Sequence, residues 1–263
     1  MRIATWNVNS IRSRIDRVTG WLERNDIDVL AIQETKCRED QFPGLELSSM
    51  GYEFEHFGLN QWNGVALISR VGLDDVARSF ADDQPTFGEP PMLEARSIGA
   101  TCGGVRVWSF YVPNGRELDH PHYAYKLAWL ERLRQVAGGW LADHPDAQIA
   151  LTGDWNVAPQ DDDVWDMSVF EGHTHVSVPE REAFQAMVDA GYADVVRPHA
   201  PGPGVYTYWD YQQLAFPKKR GLRIDFILAS PALAGRVETA WIDREERKGK
   251  GASDHAPVVM EIA

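Results

Sequence analysis

Residues 149–159 read Ile-Ala-Leu-Thr-Gly-Asp-Trp-Asn-Val-Ala-Pro, an apolar run that stops at an acid and, two residues on, an amide. A run of that length is strand material buried on both faces, and a glycine at its end permits a turn or a close backbone approach. Asp154 and Asn156 therefore stand at the mouth of a core. Either they are ordinary turn residues, or a metal, a water or a ligand satisfies them, because buried polar groups without partners are costly. Whether other strands end in the same way decides between the two.

The same ending recurs along the chain. The opening residues alternate as a strand does and stop at Asn7, and residues 28–34 form a second buried run closed by Glu34. Residues 93–101 and 105–112 meet across Gly103-Gly104, a hairpin signal that makes part of a sheet antiparallel. The second arm ends at Tyr111-Val112-Pro113-Asn114-Gly115. Residues 224–228 carry Asp225 among apolar neighbours, and Asp254-His255 stand just before a last strand over 256–262. Each has an ordinary explanation: Asp225 can pair with Arg223, Tyr111 can be a core aromatic, His255 can cap a turn. That strand after strand should end in a polar group for packing alone is much harder to arrange.

Helices fall between these strands. Ser10 reads as the cap of a helix with Ile11, Ile15, Val18 and Leu22 on one face; residues 121–141 form a second on Leu127, Leu130, Leu133 and Trp140. Residues 179–190 make a third, with Pro179 near its start and Gly191 past its end. Residues 52–57 and 64–69 are further strands, and residues 160–177 are irregular. No repeat, linker or composition break divides the 263 residues, so one α/β (α+β) domain over 1–263 is expected, with packed sheets and helices outside.

Composition narrows the function classes. A 44% hydrophobic content with ten tryptophans indicates a folded protein and excludes disorder. The formal charge of −13 argues against a nucleic-acid partner, although an enzyme can gather its acids at one site and salt screens the rest. Cys37 and Cys102 have no zinc or disulfide spacing and read as packed, reduced thiols. No run approaches the length of a membrane span and no leader pattern opens the chain, so a cytoplasmic protein without membrane contact is expected.

Asn7, Glu34, Tyr111, Asp154, Asn156, Asp225, Asp254 and His255 can meet in one cleft if the strand ends converge. Hard oxygen donors with one histidine and no thiolate suit Mg²⁺ or Mn²⁺. Such an ion polarises a phosphoryl oxygen and supports a nucleophilic water, so the collection suits cutting a phosphate ester.

The segments Thr5-Trp6-Asn7-Val8-Asn9, Ile32-Gln33-Glu34-Thr35-Lys36, Tyr111 to Gly115, Gly153 to Pro159, Arg223-Ile224-Asp225 and Ser253 to Pro257 resemble, in order, the motifs of the exonuclease III family of abasic-site endonucleases, within the endonuclease/exonuclease/phosphatase superfamily. The resemblance implies a four-layer αββα sandwich, two packed mixed sheets flanked by helices. It implies Glu34 as principal metal ligand with Asn7 and Asp254 close by, and Asp154, Asn156 and His255 completing the set. Asp154 would activate the water, with Asn156 holding it or a phosphate oxygen. His255, held by Asp225, would support charge on the phosphate, and Tyr111 would lie near the leaving oxygen. The implied substrate is duplex DNA, cut 5′ to an abasic site, with trimming of blocked 3′ ends and 3′→5′ exonuclease activity beside it. Trp209, in the aromatic loop 206–211, would help hold the extruded sugar; Arg116, Lys126, Lys218, Lys219 and Arg220 would track phosphates. A monomer acting in the cytoplasm at the nucleoid is implied. Rival readings are a superfamily phosphodiesterase acting on lipid, inositol phosphate or nucleotide, and a DNA-binding relative without chemistry. Tyr111 argues against the first, since lipid enzymes and the nonspecific DNase usually carry histidine near this position; the full catalytic set argues against the second.

Overall fold

The computed structural model describes residues 1–263. Its strands are β1 (Arg2–Asn7), β2 (Val29–Gln33), β3 (Glu53–Phe57), β4 (Val65–Ser69), β5 (Asp74–Ala77), β6 (Ser97–Cys102), β7 (Val105–Tyr111), β8 (Ile149–Asp154), β9 (Ala193–Asp194), β10 (Asp225–Ala229), β11 (Val237–Ile242) and β12 (Val258–Ile262). They form two six-stranded mixed sheets, ordered β11-β12-β1-β2-β4-β3 and β5-β6-β7-β8-β10-β9. The main helices are α1 (Ile15–Asn25), α2 (Gly44–Ser49), α3 (Pro121–Asp143), α4 (Met167–Phe170), α5 (Val178–Asp189) and α6 (Pro231–Ala234).

Alternation within single strands builds the layers. Ala150 of β8 faces the first sheet, in a cluster with Ile3, Val29, Leu67 and Val107, whereas its neighbour Leu151 faces α3 and α5, beside Trp129, Leu133, Phe184 and Met187. On the far side of the first sheet, Trp6, Leu30 and Ile32 pack against Trp21 and Leu22 of α1. The order is thus α1 and α2, sheet, sheet, α3 and α5, the four-layer sandwich expected. Each large side chain so buried contributes about 1.5–3 kcal/mol relative to exposure. Near the site the sheets are also joined by polar groups: Gln33 Nε2 donates to Ser109 Oγ at 2.9 Å across the interface.

Register brings the polar ends together. Parallel pairing of β7 with β8 sets Tyr111 opposite Asp154, and antiparallel pairing of β8 with β10 sets Asp225 opposite the same residue. In the other sheet, parallel β1 and β2 set Asn7 opposite Gln33, so Glu34 follows directly. Gly153 allows this convergence: its φ is +144°, and a Cβ there would lie 1.9 Å from the Phe110 carbonyl oxygen.

One expected helix start is corrected. Ser10 caps no helix; its N–H donates to the Glu34 carbonyl at 2.7 Å, and α1 begins only at Ile15. Pairing between the two strand ends continues past Asn7 and draws residues 8–11 into a turn, so Ile11 is buried without being helical. The cysteines are free and buried, as expected. No helix is long and apolar enough to cross a membrane.

Candidate active site

A cavity of about 460 Å³ opens where the strand ends meet, lined by Glu34, Tyr111, Asp154, Asn156, Asp254 and His255 on its polar side. Trp165, Val169, Phe170, Tyr208, Leu222 and Ile224 make its apolar wall. Asn7 organises the carboxylates: its Nδ2 donates to Glu34 Oε1 and to Asp154 Oδ2, both at 2.9 Å, while its Oδ1 accepts from the Asn9 N–H at 3.0 Å. One lone pair of that amide oxygen is thus engaged, and the second is open to a further partner. Lys36 Nζ lies 2.8 Å from Glu34 Oε2. Burial opposes the negative charge of Glu34, but Lys36 and Asn7 outweigh it and hold its carboxyl below the usual range.

His255 Nδ1 donates to Asp225 Oδ2 at 2.8 Å, and its Nε2 faces Asp154 Oδ2 at 3.8 Å. Asp225 thus pairs with His255. Its other candidate partner, Arg223, is bound to Asp163 and Asp194 instead. Burial works against a charged imidazole, yet Asp225, Asp154 and Asp254 together raise the His255 pKa to about 10. A histidine held in this way is a cation at neutral pH and suits an anionic ligand. Asp154 moves the other way from an ordinary acid: burial first, then the Asp225 charge, raises its pKa to about 7. That value suits a general base working near neutrality. Burial and the nearby Glu34 push the Tyr111 phenol well above its usual value, so it stays a hydrogen-bond donor.

The donor set fits a hard divalent cation. Ligand atoms of Glu34, Asp154 and His255 lie within 4.8 Å of one another, and the Asp254 carboxylate lines the same cavity. Of these the carboxylates match Mg²⁺ or Mn²⁺ in charge and hardness. Asn156 lines the same cavity: its Nδ2 donates to Val112 O at 2.9 Å, and its Oδ1 faces His175 Nε2 at 3.0 Å and Asn114 Nδ2 at 3.2 Å. Glu34 and Asn156 both hold left-handed φ angles, 53° and 51°, a strain that persists where the surroundings fix it.

Two residues expected to touch DNA are corrected. Lys126 is 0% exposed, because its ammonium turns inward to Glu180 and to two carbonyl oxygens. Trp209 is 1% exposed and packs on Tyr206 and Phe216; its neighbour Tyr208 lines the cavity instead, its ring tilted by 55° against the His255 ring at 4.9 Å. Arg220 does line the cavity, stacked over Trp165 at 4.8 Å. Arg116 is exposed near His120, and Lys218 is exposed but outside the cavity. Sequence reading missed His175, Trp165 and Phe170, all in the irregular stretch where no periodicity points to a site.

Comparison with known proteins agrees with this geometry. Residues 4–255 match the family described as Endonuclease/Exonuclease/phosphatase. The chain is 27% identical to exodeoxyribonuclease III of Haemophilus influenzae, each covered over 100% of its length. Among solved structures, the 3′-5′ exonuclease NExo of Neisseria meningitidis is 38% identical with a TM-score of 0.92, over 100% of this chain and 99% of that one. A 3′ phosphatase NExo from Neisseria, bound to a product DNA hairpin, is 37% identical with a TM-score of 0.92 over the same shares. An AP endonuclease from Archaeoglobus fulgidus is 35% identical with a TM-score of 0.91, again over 100% and 99%. Matched in sequence from residue 4 to 255 and in fold along its whole length, the chain belongs to the endonuclease/exonuclease/phosphatase family, in its exonuclease III and AP endonuclease branch.

Proposed function

We propose that the chain is a metal-dependent DNA repair nuclease that hydrolyses the phosphodiester 5′ to abasic sites and removes blocking groups from 3′ ends. The observation that carries this is one cavity in which a base of pKa about 7, Asp154, faces an imidazolium, His255, beside the acid cluster. Mg²⁺ or Mn²⁺ held by Glu34 and Asp254, with Asp154 alongside, would neutralise phosphate charge and polarise the P–O bond. Asp154 takes the proton of a water whose oxygen attacks phosphorus. His255 hydrogen-bonds a phosphate oxygen as its charge grows, and Asp225 keeps the ring protonated and oriented. The bond to the 3′ oxygen breaks, leaving a 3′-hydroxyl, with the Tyr111 phenol as nearby donor. Positioning and charge supply most of the rate enhancement in phosphoryl transfer, and neither needs a covalent intermediate.

The apolar wall, Trp165, Phe170, Tyr208 and Leu222, suits a baseless sugar, which leaves the helix without unstacking a base. Arg220 and Arg116 supply phosphate contacts. Every lining residue of the cavity comes from one chain, so the reading needs no second copy, and a monomer working in the cytoplasm at the nucleoid is part of the proposal.

A specific observation favours a second emphasis, on 3′ ends. His175 holds φ 76°, which glycine adopts freely, and projects its imidazole against Asn156 inside the cavity. Burial, then Lys126, lowers its pKa to about 3, so it is neutral bulk at working pH. In this reading a strand continuing past the scissile phosphate would have to clear that ring, whereas a terminal 3′ group would not. The test compares duplexes with an internal abasic analogue, a 3′-phosphate at a nick, or an intact 3′ end, each with Mg²⁺ or EDTA, for wild type and His175→Gly. Preference for the 3′-phosphate that shifts toward the internal site in the variant supports the second emphasis; preference for the internal site in wild type refutes it. Failure to cut any duplex with either Mg²⁺ or Mn²⁺ refutes both.

A further inference from the structure

We propose that the buried Lys126–Glu180 ion pair is a positioning device for the site, holding Asn156, Asn114 and His175 against the cavity. Both side chains are 0% exposed. Lys126 Nζ spends all three donors: on Glu180 Oε1, on the Asn156 carbonyl at 2.6 Å and on the Asn114 carbonyl at 3.1 Å. The carboxylate of Glu180 accepts from the His175 N–H at 2.9 Å, from Thr174 Oγ1 at 2.6 Å and from Ser177 Oγ at 2.6 Å. One ion pair thus ties together the loop after β7, the loop after β8, the segment entering α5, and α3. Of these bonds, three end on the main chain of residues whose side chains meet each other at the cavity: Asn114, Asn156 and His175.

The arrangement is costly in a way that a stabilising device would not be. Replacing a buried ion pair by well-packed apolar groups is often neutral or favourable to stability, so stability alone does not account for this pair. Here the specified feature is a left-handed Asn156, whose N–H also donates to Asp154 Oδ1 at 3.0 Å. Release of the Asn156 carbonyl frees the peptide that orients the base. The proposal rests on the nuclease reading only for its kinetic consequence.

The test uses Lys126→Met, Glu180→Gln and the paired apolar replacement Lys126→Met/Glu180→Leu, with Lys126→Arg as the conservative variant. Thermal unfolding, kcat and KM on the preferred duplex, and amide exchange of residues 154–156 and 174–176 are read at a temperature well below each midpoint. The expected result is that the paired variant, which strands two carbonyls, an N–H and two hydroxyls, melts below wild type but is folded at the assay temperature, yet loses tenfold or more in kcat with KM within about threefold, while Lys126→Arg recovers part of kcat. Exchange in the two segments should rise at least tenfold without a rise elsewhere. A paired variant with wild-type kcat and wild-type exchange overturns the proposal; so does a loss in which kcat and exchange change only in proportion to stability. Should wild type cut no DNA, the nuclease reading fails alone, and the exchange result still decides the positioning role. If Lys126→Met does not fold, Glu180→Gln, which keeps the shape and one acceptor oxygen, carries the same comparison.

Discussion

Asp225→Asn removes one charge and almost no volume from beside His255. In the wild type, Asp225 is the first of three carboxylates that overcome burial and raise the imidazole from 6.5 to about 10. Each unit is worth about 1.4 kcal/mol, so the whole displacement corresponds to roughly 5 kcal/mol of preference for the charged ring. With Asp225 neutral, burial is opposed only by Asp154 and Asp254, and the imidazole is expected to return toward its ordinary value. At pH 8 a ring with a pKa near 6.5 is only ~3% protonated, so the loss from charge alone is roughly 30-fold. Looser orientation of the ring adds to that, up to the 10²–10³ typical of a lost transition-state donor, on the order of 3–4 kcal/mol. The assay has two arms: NMR titration of His255 in metal-free protein, and the pH dependence of cleavage. The variant should show a pKa lower by at least ~2 units, and its activity should recover as pH falls from 8 toward 7, opposite in sign to the wild type. A His255 pKa unchanged by the substitution, or a full rate at pH 8, refutes the reasoning.

Three further outcomes follow from the same structure. As the base, Asp154 must be deprotonated, so the wild-type rate should rise with pH through an apparent pKa at or below about 7, since a bound cation lowers it further; a rate that falls across pH 5–7 contradicts this. Gly153→Ala sets a Cβ 1.9 Å from Phe110 O at φ +144°, so separation of β7 from β8 and a loss of about 3 kcal/mol or more is expected by denaturant unfolding; wild-type stability contradicts it. Asp163→Asn leaves Arg223 and Arg197 short of a buried anion, at a cost of about 3–5 kcal/mol. That corresponds to a melting temperature lower by on the order of 10 °C, and a change under ~2 °C would show the cluster to be dispensable.

The site's carboxylates are legible in the sequence because each closes or interrupts an apolar run. Glu34 and Asp154 follow strands buried on both faces, and that pattern needs no knowledge of pairing. What the pattern lacks is long-range partnership. Lys126 looks like one more basic residue on a helix, and its anion lies 54 residues away on α5. Trp209 and Tyr208 are adjacent aromatics on a near-extended segment, which turns them to opposite sides, and composition does not say which faces the cavity. His175 lies in a stretch with neither helical nor strand period, so only its placement beside Asn156 reveals it. The edge strands β5 and β11 also escaped notice. Both carry register irregularities that break the alternation of apolar residues, and β5 is mostly exposed.

The most direct measurement is single-turnover cleavage of a fluorescent duplex bearing either an internal abasic analogue or a 3′-phosphate, by wild type and Asp154→Asn, with Mg²⁺ and with EDTA. The expected result is cleavage or dephosphorylation by the wild type that requires metal, and a rate lower by about 10³ or more in the folded variant, the scale for a lost base in a preorganised site. Equal rates for the two proteins, or activity that survives EDTA, would contradict the assignment of Asp154 and the acid cluster to the chemistry.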